Sequence, residues 1–376
     1  MTNEASYASS HVGTGSTWSE CVEAIVAQIP TPPSSTLGFV YWTDALAGDS
    51  EQILTALREK LGVEQWVGTV GLGVCGNASV HFDEPAISVL LLELPQSDFR
   101  VFPPVVTTAA ELPEATKAWQ DEQQSHLALV HADQNSATLD SAIRSLAATG
   151  SGLFLLGGIG SSRGDCLQIA NQVVSGGVSG TLFSPNVAVV TRLSQGCSPI
   201  GPTRTVTAGT RNIIQELDGR PALDVFKEDI GEVLARDLRR VAGYIFAGFE
   251  VQGSDTGEYL VRNLTGIDPE SGAMAVGELV TPGDKLMFCR RDPQTAVQDM
   301  QRMLNDLGKM SDGRTVRAGV YVSCLARGPN QFDPPDLELT LIREQFGDIP
   351  VAGFFANGEI SNDRLYGYTG VLTLFL

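Results

Sequence analysis

Two stretches of this chain, 285 residues apart, carry the same pattern, and that repeat limits the fold more than any other feature. Residues 54–73 (LTALREKLGVEQWVGTVGLG) and 339–358 (LTLIREQFGDIPVAGFFANG) align without a gap. Seven of twenty positions are identical: Leu54/Leu339, Thr55/Thr340, Arg58/Arg343, Glu59/Glu344, Gly62/Gly347, Gly68/Gly353 and Gly73/Gly358. The elements around the match recur in the same order. A helix over 19–29 has Val22, Ile25 and Val26 at helical spacing and Pro30 behind it, and a strand over 37–42 follows. A helix over 50–61 presents Ile53, Leu54, Leu57 and Leu61 on one face, with Gly62 at its C′ position. Strands over 66–70 and 86–94 complete the unit, the second so continuously apolar that it reads as buried on both faces. Near the C-terminus the order returns: helix 294–307, strand 318–323, helix 337–346 closed by Gly347, and strands 351–355 and 371–376.

A weaker middle copy has a helix over 109–120, a strand over 127–132, and a helix with Leu139, Ile143 and Leu146 ending at Gly150. A strand over 153–156 runs into Gly157 and Gly158, and 187–193 closes the copy. The expected fold class is α/β (mixed α+β), with repeated helix–strand–helix–strand–strand units forming mixed sheets covered by helices, in two related halves. Residues 1–30 are a flexible tail and the first helix. Residues 31–208 hold two copies, and 209–376 hold a strand-rich insert (243–250, 259–263, 285–290) and the third. Repeats this long imply duplication of a domain-sized unit rather than a solenoid.

Composition removes several function classes. The 376 residues carry 25 Lys+Arg against 44 Asp+Glu, a net charge of −19, which leaves no surplus of cations for nucleic acid. The first positive side chain is Arg58, so there is no basic arm for an anionic membrane surface. No apolar run approaches the roughly 18 residues of a membrane span, and the N-terminus lacks the pattern of a signal peptide, so a cytoplasmic protein is expected. Cys21, Cys75, Cys166, Cys197, Cys289 and Cys324 contain no C-x-x-C pair, so neither a metal site nor a disulfide framework is expected. Gly71-Leu-Gly73-Val-Cys-Gly76 fits the dinucleotide fingerprint, but no helical period follows to face a pyrophosphate. Gly160-Ser-Ser162-Arg-Gly164 fits a nucleophile elbow, but all four His precede it, and that triad requires a later one. No cofactor is expected.

If the first two strands of a copy are parallel, their carboxyl ends share one edge, where ligands of α/β sheets settle. In the third copy those ends carry Cys324, Arg327, Asn357, Gly358 and Glu359. Arg327 would fork onto a carboxylate and Glu359 would take an ammonium, which suits an amino-acid-like zwitterion. Gly353 and Gly358 would allow close backbone approach. The competing expectation is that Arg327 and Glu359 simply pair with each other. The first copy offers Thr43, Asp44 and Gly73. The middle copy offers Asp133, Gln134 and Asn135 beside Ser161, Ser162 and Arg163.

From about Leu37 to Leu376 the chain resembles the FIST family (F-box and intracellular signal transduction). The N-terminal half shows it in LGFVYWTDAL, the 68–76 segment and ISVLLLEL. The C-terminal half shows it in ELDGRPALDVF, YLVRNLTGID, GDKLMFCRRD, SCLARG, VAGFFANGEI and Tyr368-Thr369. Thr69 stands where the family usually has a Cys, and no F-box-like segment precedes Leu37, as in the stand-alone microbial form. The resemblance implies FIST N-like and FIST C-like domains at 31–208 and 209–376. It implies a non-catalytic intracellular sensor of a small, amino-acid-like ligand, with a signalling protein as partner. It also adds Arg262 and Asn263 as candidate site residues. The alternatives are a thiol enzyme using Cys324 with Arg327 lowering its pKa, and an interaction scaffold.

Overall fold

The computed structural model describes residues 7–29, 34–235, 238–241, 243–251 and 259–376, so residues 1–6 of the expected tail, and Pro30, lie outside the described residues. The repeat is present three times, each time as strand–helix–strand–helix–strand–hairpin–strand. The first copy runs β1 (Ala8–Thr14), α1 (Trp18–Val26), β2 (Leu37–Thr43), α2 (Ser50–Leu61), β3 (Gln65–Gly71), the hairpin β4 (Gly73–Gly76) and β5 (Ser79–Phe82), and β6 (Ala86–Leu92). The second runs β7 (Phe99–Val105), α3 (Glu114–Gln123), β8 (Leu127–Ala132), α4 (Leu139–Ala147), β9 (Phe154–Ile159), the hairpin β10 (Gln168–Ala170) and β11 (Val173–Val174), and β12 (Val178–Phe183).

The third copy begins with β13 (Val189–Gln195) and is interrupted by an insertion. The insertion comprises β14 (Cys197–Thr210), β15 (Ile213–Leu217), β16 (Arg220–Pro221), α5 (Ala222–Ile230), α6 (Glu232–Ala235), β17 (Ile245–Glu250), β18 (Tyr259–Asp268), β19 (Ala273–Val276) and β20 (Lys285–Arg291). The copy then resumes with α7 (Pro293–Met310), β21 (Ala318–Cys324), α8 (Leu337–Phe346), β22 (Val351–Ala356), the hairpin β23 (Glu359–Ser361) and β24 (Arg364–Tyr366), and β25 (Thr369–Phe375). Two compact units result: Met1–Ser194 with Asp299–Leu365 and Thr369–Leu376, and Gln195–Gln298 with Tyr366–Tyr368.

In the first unit each copy builds a mixed sheet on a parallel pair: β2 with β3, β8 with β9, and β21 with β22. The last strand of each copy lies antiparallel to the first member of its pair. The hairpins are exchanged in a ring. The first copy's β4 joins β22 of the third, the third copy's β23 joins β9 of the second, and the second copy's β10 joins β3 of the first. Three six-stranded sheets are thereby tied together.

One position shows the threefold match. Gly68, Gly157 and Gly353 sit opposite Val40, Val130 and Tyr321 of the neighbouring parallel strand. Their hairpin partners are Ile169, Ile360 and Cys75. A Cβ added at these glycines would lie 1.7, 1.9 and 1.8 Å from the carbonyl oxygens of Val40, Val130 and Tyr321, so only Gly fits.

The continuous apolar runs follow from burial of both sheet faces. Along β2, Phe39 and Tyr41 join a core with Leu129, Val322, Phe354 and Phe375, drawn from all three sheets. The alternate Val40 and Trp42 pack against Ile53, Leu54, Leu57 and Leu61 of α2, each worth about 1.5–3 kcal/mol when buried. In the second unit the strand order β14-β20-β17-β18-β19-β15 closes back on β14, all antiparallel, which removes the sheet edges. Leu223, Val225 and Phe226 of α5 pack into its core.

Three expectations are corrected. Residues 8–14, expected as tail, form β1 and pair along their whole length with β6, because the apolar β6 needs a partner for its outer edge. The closing strand of the middle copy is β12, whose sequence VSGTLF has a weak strand signal. The 187–193 stretch instead enters β13, in the third copy's sheet beside β25. The helix over 109–120 is split into a short 3-10 turn, Ala109–Glu111, and α3, because Pro113 has no N–H to continue the ladder.

Candidate ligand site at the carboxyl ends of the parallel strands

The parallel pairing of β21 and β22 brings their carboxyl ends to one edge. Beyond β21 the chain turns back through an Arg327 N–H to Cys324 carbonyl bond of 2.8 Å, which carries the Arg327 side chain inward. The guanidinium is fully buried. Its Nε donates to Glu338 Oε1 at 2.9 Å, and Nη2 lies 2.8 Å from the same oxygen. Nη2 also donates to Ser194 Oγ at 3.1 Å and Nη1 to the Ser194 carbonyl at 3.4 Å, while the group stacks over Phe332 at 5.0 Å. Glu338 further accepts from the Tyr321 hydroxyl at 2.6 Å and from Ser323 Oγ at 3.1 Å. Burial works against the Arg327 charge, but Glu338 beside it more than offsets this and holds its pKa above the usual value. Burial, with the Glu338 charge next to it, keeps the Tyr321 hydroxyl protonated.

Glu359 is fully buried too, and its Oε2 accepts from the Thr369 hydroxyl at 2.5 Å and the Thr369 N–H at 3.2 Å. Oε1 has no hydrogen-bond partner among the described residues. Arg327 is already neutralised by Glu338, so a second carboxylate here would be an uncompensated buried charge. Desolvation accordingly pushes Glu359 up to about 8, with Thr369, Arg327 and Cys324 only partly opposing it. At neutral pH it is largely the neutral acid.

Of the sequence-derived candidates, Cys324, Arg327, Gly353, Gly358 and Glu359 are all buried, while Asn357 is exposed. Gly353 faces the Tyr321 carbonyl. Gly358 accepts at its carbonyl from the Ile159 N–H at 2.8 Å, and Asn357 Nδ2 reaches Gln134 Oε1 at 3.4 Å. The expected Arg327–Glu359 pair is not formed, because Glu338 holds the guanidinium. Arg262 and Asn263 belong to the second unit. There Arg262 pairs with Glu278 at 2.9 Å, and Asn263 Oδ1 accepts from the Tyr368 hydroxyl at 2.7 Å.

Strand ends of the other copies join this edge. Ser161 Oγ donates to the Phe355 carbonyl at 2.6 Å and accepts from the Leu72 N–H at 2.8 Å, linking all three copies. Arg163 binds Asp44 at 3.0 Å. The Gly71–Gly76 motif ends one strand and forms another, so no helix N-terminus faces it. Glu338 and Ser194 escaped sequence reasoning, and Thr369 entered only as part of the family resemblance. Glu338 reads as an ordinary acidic residue in a helix's first turn, and no local signal sends it inward. Among the described residues, no group of three His, Cys, Asp or Glu is placed to hold a metal, and no helix is long and apolar enough to cross a membrane.

Family models for the FIST N domain and the FIST C domain match residues 36–220 and 222–362. The chain belongs to the FIST family. It is 29% identical over 339 residues to an uncharacterized protein of Mycobacterium tuberculosis, covering 86% of this chain and 87% of that one. It is also 33% identical over 238 residues to an uncharacterized protein of Mycobacterium bovis, covering 60% and 61% respectively. FIST domains are sensory domains of signal transduction thought to bind small ligands.

Proposed function

We propose that this FIST protein is a non-catalytic sensor of an amino-acid-like small molecule, which engages the third copy at Cys324, Arg327, Gly353, Asn357, Gly358 and Glu359. The observation that carries the reading is Glu359 Oε1, a fully buried oxygen with no partner in a cluster otherwise saturated with hydrogen bonds. Buried polar atoms are rarely left so; an ammonium brought to Oε1 would favour the ionised carboxylate, so that Glu359 releases its proton and Oε1 accepts from the ammonium. The ligand enters by displacing residues 325–336, whose Arg327 and Phe332 seal the cluster. Binding to a sealed site of this kind is necessarily coupled to a change of conformation, which is the property a sensor requires.

The test is a thermal-shift titration against free amino acids and their amides, since a ligand at about 100 times its Kd adds about 2.7 kcal/mol. The expected result is a saturable rise in Tm that Glu359→Gln abolishes while folding normally. No shift with any amino acid, or one that Glu359→Gln leaves intact, would overturn the reading.

A further inference from the structure

The joint where an exchanged hairpin meets its host sheet is built three times, and that of the third sheet is open. Each hairpin turn begins with an Asn in the left-handed region: Asn77, Asn171 and Asn362, with φ of 48°, 61° and 59°. All three stand two residues beyond the hairpin partner of the repeat glycine, and each donates its N–H to the carbonyl of the host-strand residue two before that glycine. The bonds from Asn171 to Trp66 and from Asn362 to Leu155 are 2.8 Å, whereas that from Asn77 to Val351 is stretched to 3.4 Å.

The first sheet's joint is closed by side chains. Asn171 Oδ1 accepts from the Trp66 N–H at 2.9 Å. Arg58 crosses the joint, donating to the Glu64 carbonyl at 3.1 Å and to the Asn171 carbonyl. At the matching joint of the third sheet the Val351 N–H goes instead to Ser10 Oγ at 3.1 Å, and Ser10 bonds Asn77 Oδ1 in turn, so a hydroxyl is wedged into the seam. Arg343, the repeat counterpart of Arg58, spans nothing. Its partner is Asp348 at 3.7 Å, and that carboxylate is 93% exposed, a weak pair. A cleft of about 390 Å³ lies there, within the size range of small-molecule sites.

We propose that this cleft binds a small aliphatic carboxylate. The guanidinium of Arg343, at a position where Arg58 takes two carbonyl oxygens, forks onto the two oxygens of the carboxylate. Ala8, Leu339, Ile342 and Val351 line the cleft and receive the hydrocarbon part. Asp348 competes for Arg343, so its neutral variant binds more tightly. This site lies at the amino end of β22 and is independent of the Glu359 cluster at the opposite end.

The test is calorimetric titration of the full chain with hexanoate, and with hexanol as the uncharged control. Hexanoate is expected to bind and hexanol not, with affinity at least about tenfold weaker in Arg343→Gln, about 1.4 kcal/mol. Asp348→Asn is expected to strengthen binding several-fold and Glu359→Gln to leave it unchanged. Arg343 is on the surface of α8, so its variant folds. Absence of hexanoate binding up to about 10 mM, ten times a millimolar Kd, overturns the proposal, as does binding indifferent to Arg343→Gln. Failure of the amino-acid titration with retained hexanoate binding would remove the Glu359 reading alone.

Discussion

Arg327 is neutralised by Glu338, 2.8 Å away, and not by Glu359. The pair is fully dehydrated and hydrogen-bonded at nearly every polar atom, so removing one partner strands the other. Arg327→Met is expected to destabilise the protein by about 3–5 kcal/mol in urea denaturation. The double variant Arg327→Met, Glu338→Leu is expected to lose clearly less than the sum of the singles. Additive losses would show that the two charges are not coupled.

The repeat glycines make a steric prediction. Gly68→Ala, Gly157→Ala and Gly353→Ala each drive a methyl into a backbone carbonyl that cannot rotate away. Each is expected to cost about 2–4 kcal/mol or to prevent folding. Gly48→Ala, with nothing within 4 Å of its added carbon, is the control and should be near neutral. Equal behaviour of Gly48→Ala and Gly353→Ala would contradict the register.

Glu359 has a folded pKa raised to about 8 from a reference of 4.5, so the folded state holds its proton more tightly than the unfolded chain. Its contribution is greatest below pH 4.5 and is lost as pH rises through about 8. Glu359→Gln should remove that decline, which has a slope of at most about 1.4 kcal/mol per pH unit. The repeat supports the choice of Gln. Gln168 occupies the matching hairpin position and likewise accepts, at Oε1, an N–H and a hydroxyl from one residue, Ser179. Stability measured from pH 4 to 9 in both proteins checks this, and parallel curves would refute it.

His131 acts in the opposite sense. It is fully buried against the stacked rings of Tyr41 and Phe354, its Nε2 is 3.3 Å from the Tyr41 hydroxyl, and Nδ1 has no partner among the described residues. Desolvation lowers its pKa to about 3 from 6.5. The unfolded chain therefore binds a proton that the folded one refuses, and stability falls as pH drops from 6.5 towards 3. His131→Gln is expected to lose less stability than the native chain across that window. Together with Glu359, the native protein should be most stable between about pH 5 and 6.5, where the two trends oppose each other.

The local elements of this molecule were largely legible in advance. The helix over 50–61 matches α2 to the residue, because four apolar side chains at helical spacing and a terminal glycine specify it locally. The same holds for the helix over 337–346. Gly68 and Gly353 were visible as a repeat, but their role as close-contact positions within parallel pairs was not. The ring exchange of hairpins was invisible, because β4 pairs as readily in principle with its own sheet as with β22. Only the assembled unit chooses between them.

The chain by itself determined that a unit recurs, where most of its strands and helices lie, and that polar groups collect beyond the strands that hold Cys324 and Ala356. Tertiary structure alone decided that Arg327 meets Glu338, that Glu359 is left with a free oxygen, and that the seam beside Arg343 stays open while that beside Arg58 is shut. Periodicity acts over a few residues and can be read along the chain. The pairing of buried charges depends on distances across the fold, where sequence separation carries no information.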